Sequence, residues 1–356
     1  MTTLIVIGTR PEAIKLAPVV LALHRIKVPI QVVCTRQHDK IVNEILALFH
    51  IDINLVELLP TNNSLTLLDN ITRIMNELNA IIQKVTVARI IVQGDTLSAY
   101  AGALVGYLSK LPVYHVEAGL RSGDMDNPYP EEMFRRSISM MATYHFAPTE
   151  LSYSILLSEG IHQKKCWLVG NTVVDSLQMI QGSLMRTVDA TDTVLVTCHR
   201  RENWGQPIAN ICQSVNELAK AFSSVVFNIF VHPNPTIQKT ISEHIMKLSN
   251  VVIHQNVPYN TFLQYLIKSK LIITDSGGIQ EEATILGIPT LVTRITTERQ
   301  EGLGITLKLV GTSPIDIVRE GSEILKNNPP RCPSTVFGDG MASERIANII
   351  YFHHSS

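Results

Sequence analysis

Apolar residues along this chain come in short continuous blocks. In the first half they occupy 4–7, 30–34, 89–92, 112–116, 144–147 and 167–169; in the second, 193–197, 225–231, 251–254, 271–274 and 289–293. A strand with one wet face alternates apolar and polar side chains. These blocks do not alternate, so each is expected to be a strand of a parallel sheet covered on both faces. Between them lie longer stretches of helical pattern, for example 65–84, 131–142, 207–221 and 315–325. Repeated strand–helix units build doubly wound α/β domains. A weakly apolar stretch bearing Thr, Asp and Gly, 181–193, separates two such series and reads as a linker. The expected architecture is two Rossmann-like domains, 1–180 and 181–356, facing a central cleft, with the terminal helix 341–352 a candidate to pack back on the first. A single (β/α)8 barrel is the alternative; eleven blocks and the mid-chain break argue against it.

Composition narrows the class. Of 356 residues, 45% are apolar, which supplies a full core and excludes a disordered chain. Charged residues make up 17%, below the roughly 25% usual for soluble domains, as buried sheets would require. Lys and Arg (30) nearly balance Asp and Glu (31) with no basic run, so no nucleic-acid partner is expected. No apolar stretch reaches the roughly 18 residues of a membrane span, so no membrane association is expected. The first residues, MTTL, lack the basic region of a signal peptide and read directly as a strand. Five scattered cysteines (Cys34, Cys166, Cys198, Cys212, Cys332) without a CxxC pair fit a reducing cytoplasm, with neither disulfides nor structural zinc.

In open parallel sheets ligands sit beyond the carboxyl ends of the strands, where this chain places its polar clusters. After block 4–7 comes GTRPEAIK (8–15). Gly8 permits a tight turn, Pro11 suits a first helical turn, and Arg10 and Lys15 lie near the helix start, an anion-binding arrangement. A well-capped helix with surface cations fits the same residues. After block 271–274 comes DSGGIQEEA (275–283), where Ser276, Gly277 and Gly278 offer consecutive backbone N–H groups for phosphate oxygens. Glu282, one turn on, could accept both hydroxyls of a ribose. Phosphate and ribose sites this close suggest a nucleoside diphosphate. An ordinary glycine-rich turn is the alternative.

Asp95, Glu117 and the pair Glu131–Glu132 follow successive first-half elements. Singly each reads as a helix cap or a dipole partner; together on one sheet edge they suit acid–base chemistry. His199, with Arg200 and Arg201 behind it, follows block 193–197, and His232 follows block 225–231. Both histidines stand where a phosphate could meet them. Asp124-Met125-Asp126 matches a short metal motif, but no HExxH, EF-hand loop or Cys/His cluster accompanies it, so no metal and no cofactor is expected.

Taken in order, GTRPEAIK, GDT (94–96), HVEAGLRSGD (115–124), PYPEE (128–132), GNTVVD (170–175), HRRE (199–202), TDSGGIQEEA (274–283) and TTER (296–299) resemble the non-hydrolysing UDP-N-acetylglucosamine 2-epimerases of bacteria over nearly the whole chain. The resemblance implies a fold like the two-domain nucleotide-sugar glycosyltransferases (GT-B-like) and a homodimer. It implies diphosphate contacts from Arg10, Lys15, Ser276, Gly277, Gly278 and Arg299, a ribose contact from Glu282, and uracil contacts from Val257 and Phe262. Asp95, Glu117, Glu131 and His199 become the catalytic set. Gln37, Arg73 and Glu202 match a pocket where a second UDP-GlcNAc activates family members. Cys198, Gln300 and Lys40 depart from the usual pattern, and Lys40 lies near that allosteric pocket.

The implied activity is reversible interconversion of UDP-GlcNAc and UDP-ManNAc by loss and return of UDP through 2-acetamidoglucal, feeding bacterial surface polysaccharide. A metal-independent UDP-sugar glycosyltransferase of the same fold is the rival reading. A catalytically silent nucleotide-sugar sensor is a third, which intact Asp95, Glu117, Glu131 and His199 oppose.

Overall fold

β-Branched residues dominate the strands because helices cover both sheet faces. The first strand, TTLIVI, is buried at every position but its first. A computed structural model describes all residues except 38–40, 54, 61–64, 185–190, 199, 201–202 and 354–356, and the backbone alone of 41 and 181–184. Its contacts divide the chain into two compact units, Met1–Ile180 with Phe337–Ser356, and Gln181–Val336.

The first unit carries β1 (Thr2–Ile7), α1 (Arg10–Arg25), β2 (Ile30–Cys34), α2 (Ile41–Leu48), β3 (Leu55–Glu57), α3 (Leu67–Ile82), β4 (Val87–Gln93), α4 (Leu97–Leu108), β5 (Val113–Val116), α5 (Glu131–Met141), β6 (Tyr144–Ala147), α6 (Glu150–Ser158), β7 (Cys166–Leu168) and α7 (Thr172–Leu184). Its seven strands pair in parallel in the order β3-β2-β1-β4-β5-β6-β7. On one face Leu4, Val6, Ile90 and Val92 pack with Ile74 and Leu78 of α3 and Ala99 and Ala103 of α4.

The second unit carries β8 (Thr193–Cys198), α8 (Gln206–Ala221), β9 (Val226–Val231), α9 (Pro235–His244), β10 (Val251–Gln255), α10 (Tyr259–Lys268), β11 (Leu271–Thr274), α11 (Gly277–Leu286), β12 (Thr290–Val292), β13 (Leu307–Leu309) and α12 (Pro314–Asn327). Its six strands are also parallel, in the order β10-β9-β8-β11-β12-β13. Val194, Val196, Phe227 and Ile273 pack with Ile211 and Val215 of α8 and Ile317 of α12. Two open sheets exclude the barrel alternative.

Of the expected linker, 181–193, residues 185–190 lie outside the described residues. Residues 181–184 continue α7, with Gly182 tolerated inside the helix, and Thr193 already belongs to β8. The last helix, α13 (Ala342–Phe352), belongs with the first unit, so the second ends at Val336. Asp175 of α7 caps its start, accepting from Ala342 N at 3.3 Å, Ser343 N at 2.8 Å and Ser343 Oγ at 2.6 Å. Arg89 of β4 caps its end, donating to the Ile350 carbonyl at 2.7 Å. Among the described residues, no helix is long and apolar enough to cross a membrane.

In each sheet the connections reverse direction beside the first strand. That switch point lies between β1 and β4 in the first unit and between β8 and β11 in the second. Crevices at such points are where doubly wound sheets bind ligands.

Candidate active site

In the first unit, three turns meet beyond the carboxyl ends of β1, β4 and β5. The β1–α1 turn is held by Glu12, which is fully buried. Its Oε2 accepts from Gly8 N at 3.0 Å and Thr9 N at 2.7 Å, while Thr9 Oγ1 accepts from Glu12 N, a reciprocal capping box. Glu12 Oε1 accepts from Thr96 Oγ1 at 2.7 Å, tying this turn to the one that carries Asp95. Gly8 is required by crowding: a Cβ there would lie 1.9 Å from Ser98 Oγ.

Asp95 follows Gly94, whose N–H bonds the Val116 carbonyl at 3.0 Å and whose carbonyl accepts from His115 Nε2 at 2.8 Å. A carbonyl only accepts, so His115 carries its proton on Nε2. Asp95 is held by Arg135 of α5, with Nε at 2.9 Å from Oδ2 and Nη2 on the same oxygen. The same guanidinium donates to Glu132 at 2.8 Å. Glu132 also accepts from Ser122 N at 3.0 Å and Arg136 Nε at 2.9 Å. Burial pushes its carboxyl up, but these donors outweigh burial and hold it below its usual value. Glu132 is thus locked in ion pairs, and Glu131 lies half-buried at the first position of α5.

Glu117 leaves β5 in the left-handed region, φ 63°, a conformation that a residue with a side chain holds at a cost of about 1–3 kcal/mol. Its carboxylate is buried, ion-paired with Lys15 Nζ and bonded by Gln93 Nε2 at 2.9 Å. Strain beside a buried ion pair at a switch point is a feature of functional sites. Lys15, expected on a diphosphate, is thus engaged with Glu117; Arg10 opens α1, half-buried.

In the second unit, Asp275 lies beyond β11, completely buried. Its Oδ2 accepts from Arg200 N at 3.0 Å and Asn203 Nδ2 at 2.9 Å, which ties these two residues to the turn after β11. His199, Arg201, Glu202 and, in the first unit, Lys40 lie outside the described residues. Ser276 is the N-cap of α11 without a side-chain cap bond, so its hydroxyl does not take up the first-turn N–H groups. Arg299 lies over this turn: a Cβ on Gly277 would come within 3.0 Å of its guanidinium carbon, whereas one on Gly278 would meet nothing within 4 Å. Arg299 Nε bonds Glu281 at 2.9 Å, and its Nη1 bonds Glu298. Buried Glu298 also takes Arg294 Nη1 at 2.8 Å and Arg200 Nη2 at 3.4 Å, so three arginines gather around one carboxylate.

Glu282 is buried one turn into α11 and accepts from Tyr259 Oη at 2.6 Å. Phe262, on the same first turn of α10 as Tyr259, sets its ring edge-on to Phe230 at 5.0 Å, and Val257 precedes it half-buried. His232 is exposed, its Nδ1 accepting from Asn234 N at 3.2 Å in a local turn. Of the residues expected in an allosteric pocket, Gln37 accepts from Ser98 Oγ at 2.9 Å, and Arg73 of α3 bonds the Leu59 carbonyl and Glu77. Asp124 accepts from Asp126 N at 3.0 Å in a local turn. Among the described residues no group of three His, Cys, Asp or Glu is placed to hold a metal ion.

A family model described as UDP-N-acetylglucosamine 2-epimerase matches residues 21–351. The chain belongs to the UDP-N-acetylglucosamine 2-epimerase family. Such a protein is an enzyme of the isomerase class. The UDP-N-acetylglucosamine 2-epimerase of Neisseria meningitidis serogroup A is 39% identical over 345 residues, covering 92% of this chain and 91% of that one. A crystal structure of the Neisseria meningitidis UDP-GlcNAc 2-epimerase bound to UDP-GlcNAc superposes with a TM-score of 0.93 at 36% identity, covering 99% and 100% of the two chains. The Methanocaldococcus jannaschii UDP-GlcNAc 2-epimerase, in complex with UDP-GlcNAc and UDP, gives 0.90 at 31% identity, again covering 99% and 100%.

Within this family's frame, the geometry adds residues that the sequence reading did not single out: Glu12, Gln93, Arg135, Tyr259, Asp275 and Glu298. Glu12 had a local signal, the Thr-x-x-Glu spacing of a capping box. Gln93, Arg135, Tyr259 and Asp275 bond Glu117, Asp95, Glu282 and Asn203, all far along the chain, and had none; Glu298 pairs with its near neighbours Arg294 and Arg299 and with the distant Arg200.

Proposed function

We propose that this chain interconverts UDP-GlcNAc and UDP-ManNAc without hydrolysis, by elimination and re-addition of UDP. The observation that carries the reading is the pairing at the first switch point. A strained, buried Glu117 is held by Lys15 and Gln93 beside an Asp95 held by Arg135. Two carboxylates fixed by separate cations at neighbouring strand ends suit proton removal and proton return by different groups.

The chemistry needs both. The C2 hydrogen of the sugar is weakly acidic, and a free carbanion there is too costly. As the C1–O bond breaks, its electron pair leaves with the diphosphate oxygen and C1 gains oxocarbenium character. A carboxylate then takes the C2 proton, and the C–H pair becomes the C1=C2 bond of 2-acetamidoglucal. A proton delivered to the opposite face of C2 and return of the diphosphate oxygen to C1 complete the inversion, with no net oxidation. Asp95, Glu117 and Glu131 share the base and acid roles. The departing charge is met by Arg10, by the N–H groups after Ser276 with Arg299, and by His199. Glu282 holds the ribose, while Val257 and Phe262 meet the uracil.

The same reading carries a homodimer, and activation by a second UDP-GlcNAc through Gln37, Arg73 and Glu202. Gln37 supports the latter: its partner Ser98 lies two residues beyond Thr96 at the start of α4. The product would supply ManNAc units to surface polysaccharide.

The test is turnover of UDP-GlcNAc in heavy water, read by mass spectrometry at early times. Product UDP-ManNAc carries one deuterium at C2, and free UDP with 2-acetamidoglucal leaks out slowly. Asp95→Asn and Glu117→Gln each lower turnover by roughly 10²–10⁴-fold. Product that keeps its original C2 hydrogen overturns the elimination mechanism. Consumption of UDP-GlcNAc only when a sugar acceptor is present would favour a transferase.

A further inference from the structure

Tyr259 is the first residue of α10, and its ring is buried, with 6% exposure. Its phenol donates to Glu282 Oε1 at 2.6 Å, and Glu282 itself is 5% exposed. That separation lies in the range of charge-assisted O–H···O⁻ bonds. A glutamate side chain turns about three bonds, and fixing it costs conformational freedom. A tyrosine turns about two and is here locked by burial, so it is the rigid member of the pair. An ionised carboxylate has about four acceptor positions, and Tyr259 uses one. That bond holds the carboxylate in one orientation.

We propose that Tyr259 is a positioning residue that orients the Glu282 carboxylate as a receptor for two vicinal hydroxyls, and so sets the preference for a ribonucleotide. This rests on the reading of Glu282 as the ribose ligand. Tyr259 and Phe262 share the first turn of α10. One helical turn would thereby hold both the base-contacting ring and the orienting phenol. A nucleoside diphosphate whose sugar lacks the diol gains nothing from that orientation.

The experiment is calorimetric titration of the full-length protein with UDP and with 2′,3′-dideoxyuridine diphosphate. Wild type, Tyr259→Phe and Glu282→Gln are compared. Wild type binds UDP more tightly than the dideoxy analogue. Tyr259→Phe keeps the ring and loses only the hydroxyl; it weakens UDP about 3–10-fold and leaves dideoxy binding unchanged, so the discrimination shrinks. Glu282→Gln shrinks it further, and the double variant loses no more than Glu282→Gln alone. If Tyr259→Phe weakens both ligands equally, or neither, while Glu282→Gln abolishes discrimination, the positioning role is overturned and the ribose reading stands. If Glu282→Gln leaves discrimination intact, the ribose reading fails and takes the proposal with it. A melting midpoint for Tyr259→Phe equal to wild type excludes a packing defect as the cause of the loss.

Discussion

Glu12 is the residue at which burial and hydrogen bonding oppose each other most directly. Three donors suit its carboxylate, yet burial dominates and raises its pKa from 4.5 to about 7. Between those values the folded protein keeps a proton that the unfolded chain has released. The associated stability is therefore complete below pH 4.5 and is lost as pH climbs through about 7, for a total of roughly 3 kcal/mol. Glu12→Gln cannot titrate. The margin of wild type over this variant, measured by urea unfolding, is expected to shrink by roughly 2 kcal/mol between pH 5 and pH 8. A margin that does not change with pH would mean that the carboxyl ionises normally. At this scale the sequence was legible where a residue acts alone. Asp95, Glu117 and Glu282 each stand a fixed distance past a strand or a glycine turn, and strand ends are where ligands bind. It was not legible where a residue acts through a partner. Glu117 with Lys15, Asp95 with Arg135 and Glu282 with Tyr259 are separated by 102, 40 and 23 positions. Nothing local encodes those pairings.

Among the elements, β5 and β6 set two buried histidines side by side, His115 opposite His145. Burial drives His115 down to about 3, with further depression from His145 and Arg121, while its bond to the Gly94 carbonyl pulls the other way. Burial, then the charges of Arg121 and Lys165, drives His145 down to about 4. Both stay neutral in the folded sheet well below 6.5, where an unfolded histidine takes a proton. The stability tied to them is present above pH 6.5 and is lost as pH falls toward 4, the opposite sign to Glu12. Replacing His145 with Gln removes one titration, so the variant should lose roughly 2 kcal/mol less than wild type between pH 7.5 and pH 5. Urea denaturation at the two pH values checks this; a variant that tracks wild type would show that His145 titrates within the fold. Strands such as β5 and β6 were legible because a sheet covered on both faces needs continuous apolar runs. The strands β3 and β13 were not. Each is three residues long, lies at a sheet edge and carries a charged residue, Glu57 or Lys308, so neither presents an apolar block.

For the whole molecule, the consequence of the chain path is that the first unit is completed by the last helix. Residues 1–180 alone leave the surface of α1 that α13 covers open to water, with Asp175 and Arg89 placed to cap a helix that is not there. α13 buries Ala342, Ser343, Ile346, Ala347 and Ile350. At about 1.5–3 kcal/mol for each large aliphatic side chain, and with three hydrogen bonds to a buried carboxylate lost besides, its removal costs on the order of 5–10 kcal/mol. That equals the whole stability of a typical domain. Deleting residues 341–356 is therefore expected to unfold the first unit while leaving Gln181–Val336 folded, since that unit has its own sheet and core. Epimerisation should vanish, yet calorimetry should still record UDP binding, because the proposed diphosphate and ribose contacts after β11 lie in the surviving unit. A deletion variant that melts at the wild-type temperature would show that α13 adds no stability. One that loses UDP binding together with the first unit would show that the nucleotide depends on residues the second unit does not contain.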